Sequence, residues 1–160
     1  MENKDHDTWH LIALHVSLNG HSFKKILNIL ENDFNYKYIT INDFEGSGRY
    51  GLFYDTREVS FTGKVFSFNE IYAILEEVTF FDWVDFFLFQ EYPDDWRFPE
   101  DYDYIPLIAD SDGLVRGVDS GYIYVYTPRE DVIETVKKNY TAEQIDIIET
   151  KELKDFYVPY

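Results

Sequence analysis

The sequence predicts one α+β domain spanning 1–160, a mixed or antiparallel twisted sheet of about 6–7 strands with three helices, opening β-α-β. Three observations carry that expectation. The 160 residues fall in the ~100–200 range of one domain, long enough to bury a real core. Apolar residues alternate with period two in several short runs, and behind capping signals they recur at helical spacing. The 14 Phe, 14 Tyr and 3 Trp reach from Trp9 to Tyr160, whereas a disordered acidic chain is poor in such residues.

The first alternating run is Trp9 to Leu18, apolar on both faces, as expected of a central strand covered on two sides. Asn19-Gly20-His21-Ser22 then offers a turn and a helix cap, and Phe23, Ile26, Leu27 and Leu30 form a stripe running to about Asp33. Tyr36 to Phe44 returns to period two, with Ile39 and Ile41 on one face. Glu45-Gly46-Ser47-Gly48-Arg49 reads as a loop between that strand and two further strands, Tyr50–Tyr54 and Glu58–Phe66.

Ser67-Phe68-Asn69-Glu70 is a capping box, followed by the stripe Ile71, Ile74, Leu75 and Val78. Thr79 to Tyr92 is the most hydrophobic stretch and reads as a strand, with Phe80, Val84, Phe86 and Leu88 opposed to Phe81, Trp83, Phe87 and Phe89. Beyond a loop from Pro93 to Tyr104, strands are expected at Ile105–Ala109, Leu114–Val118 and Gly121–Tyr126, with Asp110-Ser111-Asp112-Gly113 turning between the first two. Thr127-Pro128-Arg129-Glu130 repeats the capping signal ahead of Val132, Ile133, Val136 and Tyr140. Gln144–Glu149 is the last strand, with residues 1–7 and 151–160 peripheral.

Composition narrows the chemistry. With no cysteine, a disulfide framework, a thiolate zinc site, an iron–sulfur cluster and a cysteine nucleophile are excluded. Met1-Glu2-Asn3-Lys4-Asp5-His6-Asp7 is polar and acidic where a signal peptide is basic and then apolar. No run approaches the roughly 18 apolar residues of a membrane span, so a cytoplasmic protein is expected and Asn139-Tyr140-Thr141 is a chance sequon. The formal charge of -17 far exceeds the ~2–8 usual for small domains. It opposes binding to nucleic acid or an anionic membrane and favours a basic partner. The charge has a centre: eleven acids and one base, Arg97, lie between Phe66 and Tyr104.

Motifs that would make an enzyme are weak. Gly46-x-Gly48-x-x-Gly51 matches the dinucleotide fingerprint in letters, but a strand-like Leu52-Phe53-Tyr54 follows where a helix must begin. Asp110-Ser111-Asp112-Gly113 resembles the start of a calcium loop, yet its glycine comes early and position twelve is Gly121. His6, His10, His15 and His21 cluster near the N-terminus, but His10 and His15 point to opposite faces of a strand. No catalytic residue, metal or cofactor is expected. Asp82 and Asp85, flanked by rings, read as charges that discourage edge pairing, with a pKa-raised acid as the alternative.

The strongest constellation mixes acids with aromatics: Asp94, Asp95, Trp96, Glu100, Asp101, Tyr102, Asp103 and Tyr104, with Tyr122, Tyr124 and Tyr126 sharing one strand face. Rings supply contact area at small entropic cost while carboxylates steer a basic partner. The plainer account is a solvated acidic loop over a tyrosine-rich core. The expected function is a non-enzymatic inhibitor that blocks a nuclease or other basic nucleic-acid-binding enzyme by imitating a phosphate array. In size, acidity and aromatic content the chain is similar to anti-restriction and anti-CRISPR inhibitors of phages and plasmids. It is similar in the same way to immunity proteins that neutralise nuclease toxins, the nearest alternative. Both likenesses lack a shared motif and assign no residue a role. From other classes come a small hydrolase or metal-dependent enzyme using His15 with nearby carboxylates, and a subunit that forms a homodimer through the Phe80–Phe89 strand.

Overall fold

The computed structural model describes residues 8–48, 64–96, 104–119 and 121–156. Among these residues seven strands form one sheet: β1 (Trp9–His15), β2 (Tyr38–Gly48), β3 (Phe66–Ser67), β4 (Val78–Phe89), β5 (Gly113–Val118), β6 (Tyr122–Thr127) and β7 (Ile145–Lys151). Their order is β3-β2-β4-β5-β6-β1-β7, and every neighbouring pair is antiparallel. Four helices accompany it, α1 (Gly20–Phe34), α2 (Phe68–Glu77), α3 (Tyr104–Asp110) and α4 (Glu130–Lys138), with a short 3-10 turn at Leu153–Asp155.

The α+β class and the sheet therefore stand, with one helix more than expected. The chain does open strand-helix-strand, but β1 and β2 are not neighbours, because β4, β5 and β6 lie between them. Nor is β1 central: it is one strand from the β7 edge, although Trp9, Leu11, Ile12, Ala13 and Leu14 are buried as a two-sided cover requires.

One face of the sheet carries α1, α2 and α4. Ile12, Leu14, Ile39, Ile41, Val84, Phe86, Val115, Ile123 and Val125 meet Phe23, Ile26, Leu27, Ile71, Leu75, Val132 and Val136 in one apolar cluster. Burying each such side chain contributes about 1.5–3 kcal/mol, so this layer is the main stabiliser. Local signals set its helices. Asn19 caps α1 by accepting from the Ser22 amide at 2.9 Å, and Asn35 ends it at φ 59. Ser67 and Glu70 complete both bonds of the capping box on α2. Gly20 is required where α1 starts, since a Cβ there would stand 2.1 Å from the Leu75 carbonyl oxygen of α2.

Among the described residues the other face is covered by α3 and the C-terminal segment. Trp9, Leu11, Phe87, Phe89, Leu114 and Tyr126 pack with Tyr104, Leu107, Ile108, Leu153 and Phe156. Leu153 and Phe156 belong to the stretch expected to be peripheral, and both are buried.

Four local expectations are corrected. Ile105–Ala109 is helical, because Tyr104, Leu107 and Ile108 share the spacing of one helix face and bury together, and Pro106 falls in the first turn where no amide is missed. Thr127 caps no helix: its hydroxyl accepts from the Arg129 amide at 3.0 Å as the last residue of β6, and α4 begins at Glu130. Gly46-Ser47-Gly48 is strand rather than loop, and a Cβ on Gly46 would meet the Phe80 carbonyl oxygen at 2.4 Å. Gly46 thus admits a close backbone. In β4, the register slips between Glu45/Gly46 and Phe81/Trp83, so Phe81 joins Val84 and Phe86 on the helix-covered face while Phe80 is exposed. The expected strands Tyr50–Tyr54 and Glu58–Phe66 lie outside the described residues except at Lys64–Phe66.

Candidate partner-binding surface

The acidic stretch begins where β4 ends. Phe89 accepts from the Lys37 amide at 2.9 Å, and the Gln90 amide donates to the Asp112 carboxylate at 2.8 Å. The Asp110-Ser111-Asp112-Gly113 turn thus spends a carboxylate on tying β4 to the α3–β5 connection, which is turn chemistry rather than calcium ligation. From there the chain turns outward through Glu91 and Tyr92, with the Asp94 amide closing on Tyr92 O at 3.1 Å and the Trp96 amide on Pro93 O at 3.3 Å.

The structure divides the sequence-predicted residues. Asp94 and Asp95 are exposed, as a contact surface needs. Trp96 is half-buried, its ring 5.0 Å from both Phe87 and Phe89, so it anchors the segment more than it presents a face. Tyr104 is buried outright and serves the core. Glu100, Asp101, Tyr102 and Asp103 lie outside the described residues. One residue that sequence reasoning passed over is Tyr92, 56% exposed and held edge-on to Tyr38 at 5.4 Å between Glu91 and the Asp94-Asp95 pair. Its signal was its place at the end of an apolar strand, where an alternation reading counts it as sheet.

Tyr104 is held by a buried polar cluster. At β2, Asn42 and Asp43 together oppose Asp85 of β4, a bulge that puts two side chains against one. Asp85 is fully buried and receives Arg116 of β5 in two bonds, Nε at 2.5 Å and Nη2 at 3.1 Å. The Tyr104 hydroxyl donates to Asp43, and its ring lies 4.3 Å from the Arg116 guanidinium, with Trp83 at 5.3 Å. Burial pushes the Asp85 carboxyl up to about 6, outweighing the pull of Arg116, and the neighbouring Asp43 adds to the rise. Burial and the same two carboxylates raise the Tyr104 hydroxyl far above its ordinary value, so it stays a donor. Asp82, by contrast, is exposed. Asp85 therefore is not an edge charge: it lies in the part of β4 that β5 pairs, between β2 and β5 in the sheet.

Among the described residues the histidines do not converge. His10 Nδ1 is 2.9 Å from Thr150 Oγ1, while His15 stacks on Tyr122 at 4.9 Å on the opposite face. His21 is exposed, and His6 lies outside the described residues. A cleft does lie beside His15, but no carboxylate is among the described residues that line it. Tyr122, Tyr124 and Tyr126 form the expected ladder, with centroids 6.4 and 6.3 Å apart.

No helix among the described residues is long and apolar enough to cross a membrane. No family model matches the chain, and no curated protein or solved structure matches it either.

Proposed function

We propose that the protein is a non-enzymatic acidic inhibitor, acting in the cytosol, that blocks a basic nucleic-acid-handling enzyme in the manner of a nucleic-acid mimic. One observation carries the reading: the exposed ring of Tyr92 stands among the exposed acids Glu91, Asp94 and Asp95 on a turn tied to the sheet. Each exposed ion pair contributes only about 0–1 kcal/mol, whereas a well-packed aromatic contributes about 2–3. The acids therefore govern how fast a Lys- and Arg-rich partner arrives and how salt slows it. Tyr92 governs how long it stays.

The test is affinity purification of the tagged protein from its host or a phage-infected cell, followed by affinity measurement with what co-elutes. A nuclease or similar enzyme, displaced by DNA or RNA, supports the reading. Tyr92→Ala should weaken such a complex about tenfold or more, and Asp94→Lys with Asp95→Lys should flatten its salt dependence. Recovery of no nucleic-acid enzyme, or affinities indifferent to both changes, rejects it.

A further inference from the structure

The cleft beside His15 differs in chemistry from the rest of this acidic molecule. It encloses about 570 Å³ and is lined by His15, Ser17, Asn19, Ser22, Lys25, Tyr140 and Gln144 among others. That volume lies within the roughly 300–1,000 Å³ of small-molecule sites. Its described lining holds two basic side chains and no acid, although the chain has 31 Asp and Glu. Asp119 and Glu143, beside lining residues in the chain, are exposed and are not among them.

Its donors are also unspent. Lys25 is exposed and forms no ion pair among the described residues, where Arg129, Lys151 and Lys154 all do; its ammonium rests over the Tyr140 ring at 4.1 Å. The Tyr140 ring forms part of the cleft wall, while its hydroxyl is buried with no hydrogen-bond partner among the described residues. Burial raises that hydroxyl to about 12, so it remains an O–H donor through neutral pH. The His15 backbone is pinned by its amide to Gln144 O at 2.7 Å, which fixes the ring at the cleft wall against Tyr122. Serine hydroxyls at 17 and 22 complete the set; the backbone amide of Ser22 is already spent on Asn19, so its side chain is not needed for the cap.

We propose that this cleft binds a small organic oxyanion, a phosphate or carboxylate group gripped by Lys25 and His15 with its organic body filling the remaining volume. A net charge of -17 does not forbid it, because salt screens charges beyond about 8–10 Å while the lining acts at contact. This site is independent of the Tyr92 surface, and its failure would leave the inhibitor reading untouched.

The experiment is amide NMR of the whole chain titrated separately with adenosine monophosphate, inorganic phosphate and citrate. Saturable shifts at His15, Ser22, Gly121 and Gln144 with a dissociation constant of about 1 mM or tighter are expected. The tighter of the phosphate and carboxylate probes identifies the source of the oxyanion. Lys25→Glu, on an exposed position, should weaken binding at least about tenfold. His15→Ala, also on an exposed position, should weaken binding by about fivefold. No saturable shift up to about 10 mM of any probe overturns the proposal. So do shifts confined to Lys137, Lys138 and Lys151, or affinity unchanged in both variants.

Discussion

Both faces of the sheet are buried, but by different chemistry. Under α1, α2 and α4 the cover is apolar throughout, from Phe23 and Leu27 to Ile71 and Val136. Under α3 the layer contains a fully buried Asp85–Arg116 pair and the tyrosine ladder of β6. The first face is generic, since any well-filled hydrophobic layer would do. The second is particular, because a charge inside it is tolerated only with its one partner in place. It is also the face on which the acidic segment is anchored, through Trp96 on Phe87 and Phe89 and through Tyr104 on Arg116 and Asp43.

The largest test of that contrast is Arg116→Ala. It strands the Asp85 carboxylate and should cost about 3–5 kcal/mol in urea unfolding at neutral pH. Replacing both, Asp85→Leu with Arg116→Met, should recover most of that loss or exceed wild type; a double variant as weak as the single one would show that the pair is not self-contained. On the helical face, Leu27→Ala should cost about 2–5 kcal/mol with no partner change able to restore it, because the loss is a cavity. Tyr104→Phe removes the bond to Asp43 and should cost about 1.5–3 kcal/mol while loosening α3 in hydrogen exchange. Ser67→Ala, which loses one half of the α2 capping box, should cost about 1 kcal/mol and leave α3 unaffected.

The pH response sharpens the contrast further. Asp85 sits at about 6 in the folded chain against an ordinary 3.8, so between those values the folded state binds more proton than the unfolded one. Its contribution is fully present below pH 4 and is lost as pH rises through 6. Wild-type stability should therefore rise on acidification from pH 7 towards 4. The rise should be smaller in the Asp85→Leu, Arg116→Met double variant, which keeps the relief of surface repulsion but lacks the buried acid. Equal slopes would mean that Asp85 titrates normally.

Much of the helical face is legible along the chain. Asn19, Ser67 with Glu70, and the 3.6-residue stripe of Phe23, Ile26, Leu27 and Leu30 are local signals, and α1 and α2 follow them closely. The second face is harder to read. An acid in an apolar strand is visible at Asp85, but nothing near it in sequence names Arg116, 31 positions away. Tyr104, Leu107 and Ile108 did carry helical spacing, masked by a short run that also fits a strand. At the candidate surface, Asp94 and Asp95 were readable as exposed acids, whereas rings at Trp96 and Tyr104 turned inward and Tyr92 turned out. Ring direction depends on what lies beneath, and the aromatic floor of Phe87 and Phe89 is assembled from the sheet.

By itself the amino-acid order determined the α+β class, the capped helices, the strongly negative charge and the concentration of that charge in the middle of the chain. These are properties of composition and of neighbours within about four residues, where periodicity and capping act. Only the tertiary structure decided that three strands separate β1 from β2, that Asp85 is a buried ion rather than an edge charge, and that among the described residues the exposed ring beside the acids belongs to Tyr92. The reason is that strand order, register slips and charge pairing depend on partners distant in sequence, whose contacts are set when the layers close.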